Sequence, residues 1–129
     1  MANGFQGSPQ EWKRITQPLE RLDEKIEAFV TNKRLPLQHN NRNWPNREIR
    51  WSYQIERLIE IYLEDDKEMT WTLWICAYDY ANSIRLRRQE TIHKAVSIDA
   101  LDEQLEESLV LAYEKVCSWK KGMLSDVAL

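Results

Sequence analysis

MTWTLWICAYDYANSIRLRRQETIHKAVSIDAL, residues 69–101, is the stretch whose reading decides the fold. Leu73, Ala77, Ala81 and Ile84 recur at spacings of three and four, which lines them up on one helical face. Trp71, Trp74, Ile75, Tyr78 and Tyr80 spread around much of the remaining circumference. Residues 67–90 therefore read as a helix that is apolar nearly all round, and such a helix sits at the centre of its fold or against a partner chain. A further helix opens at Ser97 and runs over 97–122, with Leu101, Leu105, Leu109, Ala112, Val116, Trp119 and Met123 as its stripe. Acidic Asp99, Asp102, Glu103, Glu106 and Glu107 at its start and basic Lys115, Lys120 and Lys121 at its end match the helix dipole. Gly122 suits its termination.

Working back toward the N-terminus, Ser8-Pro9-Gln10-Glu11 has the form of a capping box with proline at the first helical position. Trp12, Ile15, Leu19, Leu22, Ile26 and Phe29 follow on one face, predicting a helix over 9–32 kinked near Pro18. The periodicity stops between residues 31 and 44, where Pro36, Asn40, Asn41 and Asn43 mark a long connection. Pro45 restarts a helix over 45–65 with Trp51, Ile55, Leu58, Ile59 and Tyr62 as its stripe, and Asp65 with Glu68 suggests a break. The expected architecture is all-α: an antiparallel bundle of four main helices in one domain, 1–129, with flexible ends at 1–7 and 124–129.

Composition agrees with one soluble domain. The chain has 129 residues, 43% hydrophobic and 30% charged, and its three glycines and four prolines are few for an all-β fold. Six tryptophans each need burial, a partner or a ligand. Cys76 and Cys117 lie far apart with no CxxC pair or Cys/His spacing, so neither a metal site nor a cofactor is expected, and two free thiols suit a reducing cytoplasm. The start, MANGFQGSPQEW, lacks the basic and apolar regions of a secretory signal, and no run of about 18 apolar residues offers a membrane span.

The net charge of −3 hides an asymmetry. Residues 31–50 hold Lys33, Arg34, Arg42, Arg47 and Arg50 against Glu48, and residues 85–94 hold Arg85, Arg87, Arg88 and Lys94 against Glu90. In an up-down bundle both windows fall at one pole, with Trp44 and Trp51 interleaved. Arginines with aromatics suit phosphate backbones and unstacked bases. They suit an acidic protein surface as well, and the carboxylates at 99–107 fall at the same pole and are able to neutralise them.

Two catalytic patterns touch the same stretch. Arg88 and His93 resemble the Arg-x4-6-His signature of HEPN ribonucleases, helical proteins in which these residues bind and cleave RNA, although Gln89 stands where that family has Asn, Asp or His. Glu90-Thr91-Ile92-His93 matches one Glu-x-x-His unit, but di-iron bundles need two, and Pro36 stands three residues before His39. Thr70-Trp71, Ile75-Cys76, Leu86-Arg87-Arg88 and residues 97–101 (SIDAL) resemble the end of the promoter-binding helical domain of extracytoplasmic-function sigma factors. That resemblance implies a transcription setting; the acidic-Gln core motif and a C-terminal helix-turn-helix are missing. The expectation is a non-catalytic accessory or regulatory protein that binds a protein or nucleic acid. Its contacts are Arg42, Trp44, Arg47, Arg50, Trp51, Arg85, Arg87 and Arg88, and self-association is expected through helices.

Overall fold

The computed structural model describes residues 9–39, 45–65, 67–81 and 84–126. Helix α1 (Pro9–Lys33) leads into strands β1 (Leu37–His39), β2 (Arg47–Tyr53), β3 (Ile55–Asp65), β4 (Thr70–Ala81) and β5 (Ile84–Ala95). Helix α2 (Ile98–Ser118), one 3₁₀ turn (Lys121–Met123) and a short β6 (Ser125–Asp126) follow. The strands form an antiparallel meander in chain order. Long strands β2–β5 are its body, and the three-residue β1 and two-residue β6 extend its edges. The Ser8 cap and the tail at 1–7 lie outside the described residues.

This corrects the all-α bundle. Residues 45–65 and 67–90 are strands, and the fold is mixed: two helices on a four-stranded antiparallel sheet. Alternation was present in both segments, disguised by exceptions. In β3 the inward residues are Ile55, Arg57, Ile59, Ile61 and Leu63, so an arginine interrupts the apolar phase while Leu58 interrupts the polar one. In β4, Trp71, Leu73, Ile75 and Ala77 point inward and are fully buried at 0% exposure. The opposite phase, Thr72, Trp74, Cys76, Tyr78 and Tyr80, is itself largely apolar, so a strand apolar on both faces imitates a helix apolar all round. Thr, Trp, Ile and Tyr fit a pleated surface better than a helix.

The reversals have local causes. Gln54 turns β2 into β3 with φ 65°, and Met69 precedes β4 with φ 58°. The Asp65 carboxylate accepts from the N–H groups of Lys67 (2.9 Å) and Glu68 (3.2 Å). Asp65 thus closes a turn between strands where the sequence suggested a helix start.

Both helices cover one face of the sheet. Ile15, Leu19, Leu22, Ile26 and Val30 of α1 join Leu101, Leu105, Leu109, Ala112 and Val116 of α2 and the inward strand residues in one core. Ser97 caps α2, its side chain accepting from Ala100 N–H at 3.1 Å. Its acidic start pairs with α1, through Arg21–Asp99 (3.3 Å) and Lys25–Asp102 (2.9 Å), and so leaves the basic windows unneutralised from that side.

The far end of α2 is held by Arg57, which is 3% exposed and bonds no carboxylate among the described residues. Its guanidinium donates to the carbonyls of Val116 (3.0 Å) and Trp119 (2.8 Å) at the helix C-terminus, and to those of Tyr53 and Ile55 at the β2–β3 turn. A cation at the negative end of the helix dipole satisfies carbonyls that the helix leaves open. Arg57→Met would strand them in the core, and urea unfolding should show a loss of about 3 kcal/mol or more.

A candidate binding surface on the open face of the sheet

Strand alternation distributes the expected site residues over two faces. On the helix side, Arg47 is buried and forks onto Asp23 of α1 (2.6 and 3.0 Å), with Pro45 O and Asn46 O completing its bonds. Trp51 stacks on Tyr113 of α2 (5.7 Å, 28°). Arg88 lies over the Trp119 ring at 4.6 Å. Arg47, Trp51 and Arg88 therefore tie the layers together. Arg50, Arg85 and Arg87 project from the opposite, uncovered face; Arg42 and Trp44 lie outside the described residues. A single basic pole does not form, because adjacent residues such as Arg87 and Arg88 point in opposite directions.

The catalytic pairing of Arg88 with His93 is not assembled either. A bulge in the β4–β5 ladder pairs Leu73 with His93 but Trp74 with Thr91, leaving Ile92 as the extra residue. Arg88 and His93 sit five residues apart on one strand, roughly 16 Å at strand rise, and His93 Nε2 is buried without a hydrogen-bond partner among the described residues. No group of three metal-ligating side chains occurs among the described residues. Burial pushes the Cys117 thiol up, so it is not an activated nucleophile.

The uncovered face is organised in rows. β3 presents Glu56, Glu60, Tyr62 and Glu64 around the buried Leu58; β4 presents Trp74, Tyr78 and Tyr80; β5 presents Arg85, Arg87, Gln89, Thr91 and Lys94; Glu48 and Arg50 stand on β2. An acidic row, an aromatic row and a basic row thus run side by side. Long side chains roof the small ones, leaving Thr72 at 1% and Cys76 at 2% exposure on a face that neither described helix covers.

Local contacts set the electrostatics. Arg50 bonds Glu48 (2.6 Å), Glu56 (3.1 Å) and the Tyr78 hydroxyl, and the Glu48 bond above all raises its pKa further, so it is permanently charged. Arg85 lies over Tyr78 at 5.1 Å and Arg87 over Trp74 at 5.6 Å. Among the described residues neither has a carboxylate partner: Arg87 donates to Cys76 Sγ (3.4 Å), and Arg85 Nε is buried and unbonded. Glu60 accepts from Trp74 Nε1 at 2.6 Å and has no cation partner among the described residues. Tyr62 meets Trp74, and Tyr78 meets Tyr80, edge to face.

No family model, curated protein or solved structure matches this chain. The sigma-factor resemblance falls on residues that are mostly strand, Thr70–Ala81 and Ile84–Ala95, where that domain is helical. The described helices include none long and apolar enough to cross a membrane.

Sequence reasoning missed Glu56, Glu60, Glu64, Trp74, Tyr78 and Tyr80 as members of one surface. The period-two phase starting at Glu56 and the one starting at Thr72 were the available signals.

Burial raises the Glu60 carboxyl above its ordinary 4.5, against the opposing bond from Trp74. With the folded pKa above the unfolded one, the folded state binds the extra proton. Its stabilising contribution is full below about pH 4.5 and is lost as pH rises through the folded pKa. Glu60→Gln keeps an acceptor for Trp74 without the charge. In urea titrations, stability of the parent relative to this variant should fall as pH rises above about 4.5.

Proposed function

We propose that this chain is a non-catalytic protein-binding module, an accessory or regulatory component that docks a protein through the open face of its sheet. The observation that carries this reading is a face with four carboxylates (Glu48, Glu56, Glu60, Glu64) and four cations (Arg50, Arg85, Arg87, Lys94) around an aromatic row. Arg85 and Arg87 keep unspent donors there, and Glu60 keeps unspent acceptor capacity. Mixed charge around aromatic anchors suits a protein surface, where Trp, Tyr and Arg dominate contact energies. A phosphate backbone would meet the carboxylates as repulsion. The unpaired thiols of Cys76 and Cys117 support a cytoplasmic setting.

Nucleic acid remains the second reading, favoured by the stacking of Arg85 on Tyr78 and Arg87 on Trp74, which offers planar platforms for bases.

Immobilised parent protein and a Trp74→Ala/Tyr78→Ala variant, exposed to extract of the source cells, separate the two. The protein-docking reading expects one protein retained in stoichiometric amount by the parent, lost from the variant and indifferent to nuclease. Equal retention by both baits overturns it. Retention that nuclease abolishes and that weakens steeply with salt transfers the surface to nucleic acid.

A further inference from the structure

We infer that the open face is occupied by a second copy of this chain, in a two-fold dimer whose axis runs along β4, parallel to the strands. The inference rests on the reading of that face as a docking surface and names its occupant.

Charge complementarity selects both the partner and the axis. The acidic row on β3 and the basic row on β5 flank β4 on either side. A half-turn about β4 exchanges the positions of β3 and β5 in the facing copy, so each acidic row lies over the other copy's basic row. The register supports this at the level of single residues. Glu56 stands opposite Tyr78, and Tyr78 opposite Arg87, so Glu56 and Arg87 share one height along the strands. Tyr62, Thr72 and Lys94 share another, where Lys94 pairs with Glu64 of its own chain (3.3 Å); in the facing copy each member of that pair lies nearest its opposite, so the two pairs alternate in sign. A two-fold axis across the strands would set carboxylate on carboxylate and guanidinium on guanidinium, which is repulsive.

The same arrangement resolves what the single chain leaves open. Arg87 gains a carboxylate in the facing copy's Glu56, shared there with Arg50 (3.1 Å), and Trp74, Tyr78 and the 62%-exposed Tyr80 meet their own counterparts at the axis. The area suffices: strands of seven, eleven, twelve and twelve residues at about 3.4 Å rise and about 4.8 Å spacing give a face of roughly 700 Å². That is close to the roughly 800 Å² per partner of a stable association. An apolar groove of about 450 Å³ between α1 and α2, floored by Phe29, Leu109 and Val110, has no comparable pair of opposed rows.

Sedimentation velocity on the full chain tests the proposal. The parent should be dimeric at about 100 µM, well above the micromolar Kd of an ordinary association. Glu56→Lys/Glu64→Lys and Arg87→Glu/Lys94→Glu should each associate at least tenfold more weakly. Mixed in equal amounts, the two should regain the dimer, because the reversed rows again oppose each other. Where either variant fails to fold, Tyr80→Glu at the exposed end of β4 places two carboxylates at the axis and should weaken association at least tenfold. A monomeric parent, unchanged dimerisation of these variants, or dissociation by Val110→Asp in the helix groove alone overturns the inference. A monomeric parent that still retains another protein through Trp74 and Tyr78 removes the second copy and leaves the docking surface. Loss of both removes both.

Discussion

A charged group inside a protein is tolerated only where dipoles replace its water, and Arg57 shows what such a group does for this fold. Its guanidinium joins the last carbonyls of α2 to the β2–β3 turn. One side chain therefore fixes where the helix ends, how it lies across the sheet and how tightly the hairpin closes. Trp119, positioned at that end, becomes the shelf for Arg88. Arg47 does for α1 what Arg57 does for α2, using a carboxylate in place of a helix terminus. The helical layer is bolted to the sheet by two inward-pointing arginines, and the core fills the space between them.

The alternation that sends these arginines inward sends others outward, and this is why the basic windows act differently from a basic patch. Arg47 and Arg50, or Arg88 and Arg87, are neighbours in the chain and serve opposite faces. Buried Arg47 and Arg57 spend their guanidinium groups on hydrogen bonds, whereas Arg85 and Arg87 rest on aromatic rings with donors to spare. Electrostatic character here belongs to rows across strands, which a linear charge count cannot separate.

What was legible in the sequence follows from how each element is stabilised. The segments that became α1 and α2 were readable because their burial is one-sided and Ser97 caps the start of α2. The strands were obscured by the features that give them their roles. Arg57 sits in the apolar phase of β3 because it caps a distant helix, and Trp74, Cys76 and Tyr78 sit in the outward phase of β4 because that face carries its own roof of side chains. Asp65 was visible as a cap, but a cap looks the same whether a helix or a turn follows. The candidate surface was half visible: Arg50, Arg85 and Arg87 were named, while the carboxylates and rings that define it became neighbours only through strand register.

The short strands at the margins of the sheet have a consequence of their own. A sheet edge with free N–H and C=O groups accepts strand after strand without limit. Here β1 covers β2 at three pairings, β6 covers β5 at Leu86 and Arg87, and the bulge at Ile92 breaks the straight run beyond them. Growth along the hydrogen-bonding direction is blunted at both borders, and contact perpendicular to the sheet is left open. Association through a face related by a two-fold axis ends at two copies. The geometry separates an open face from borders whose short strands and bulge give an added strand little to extend.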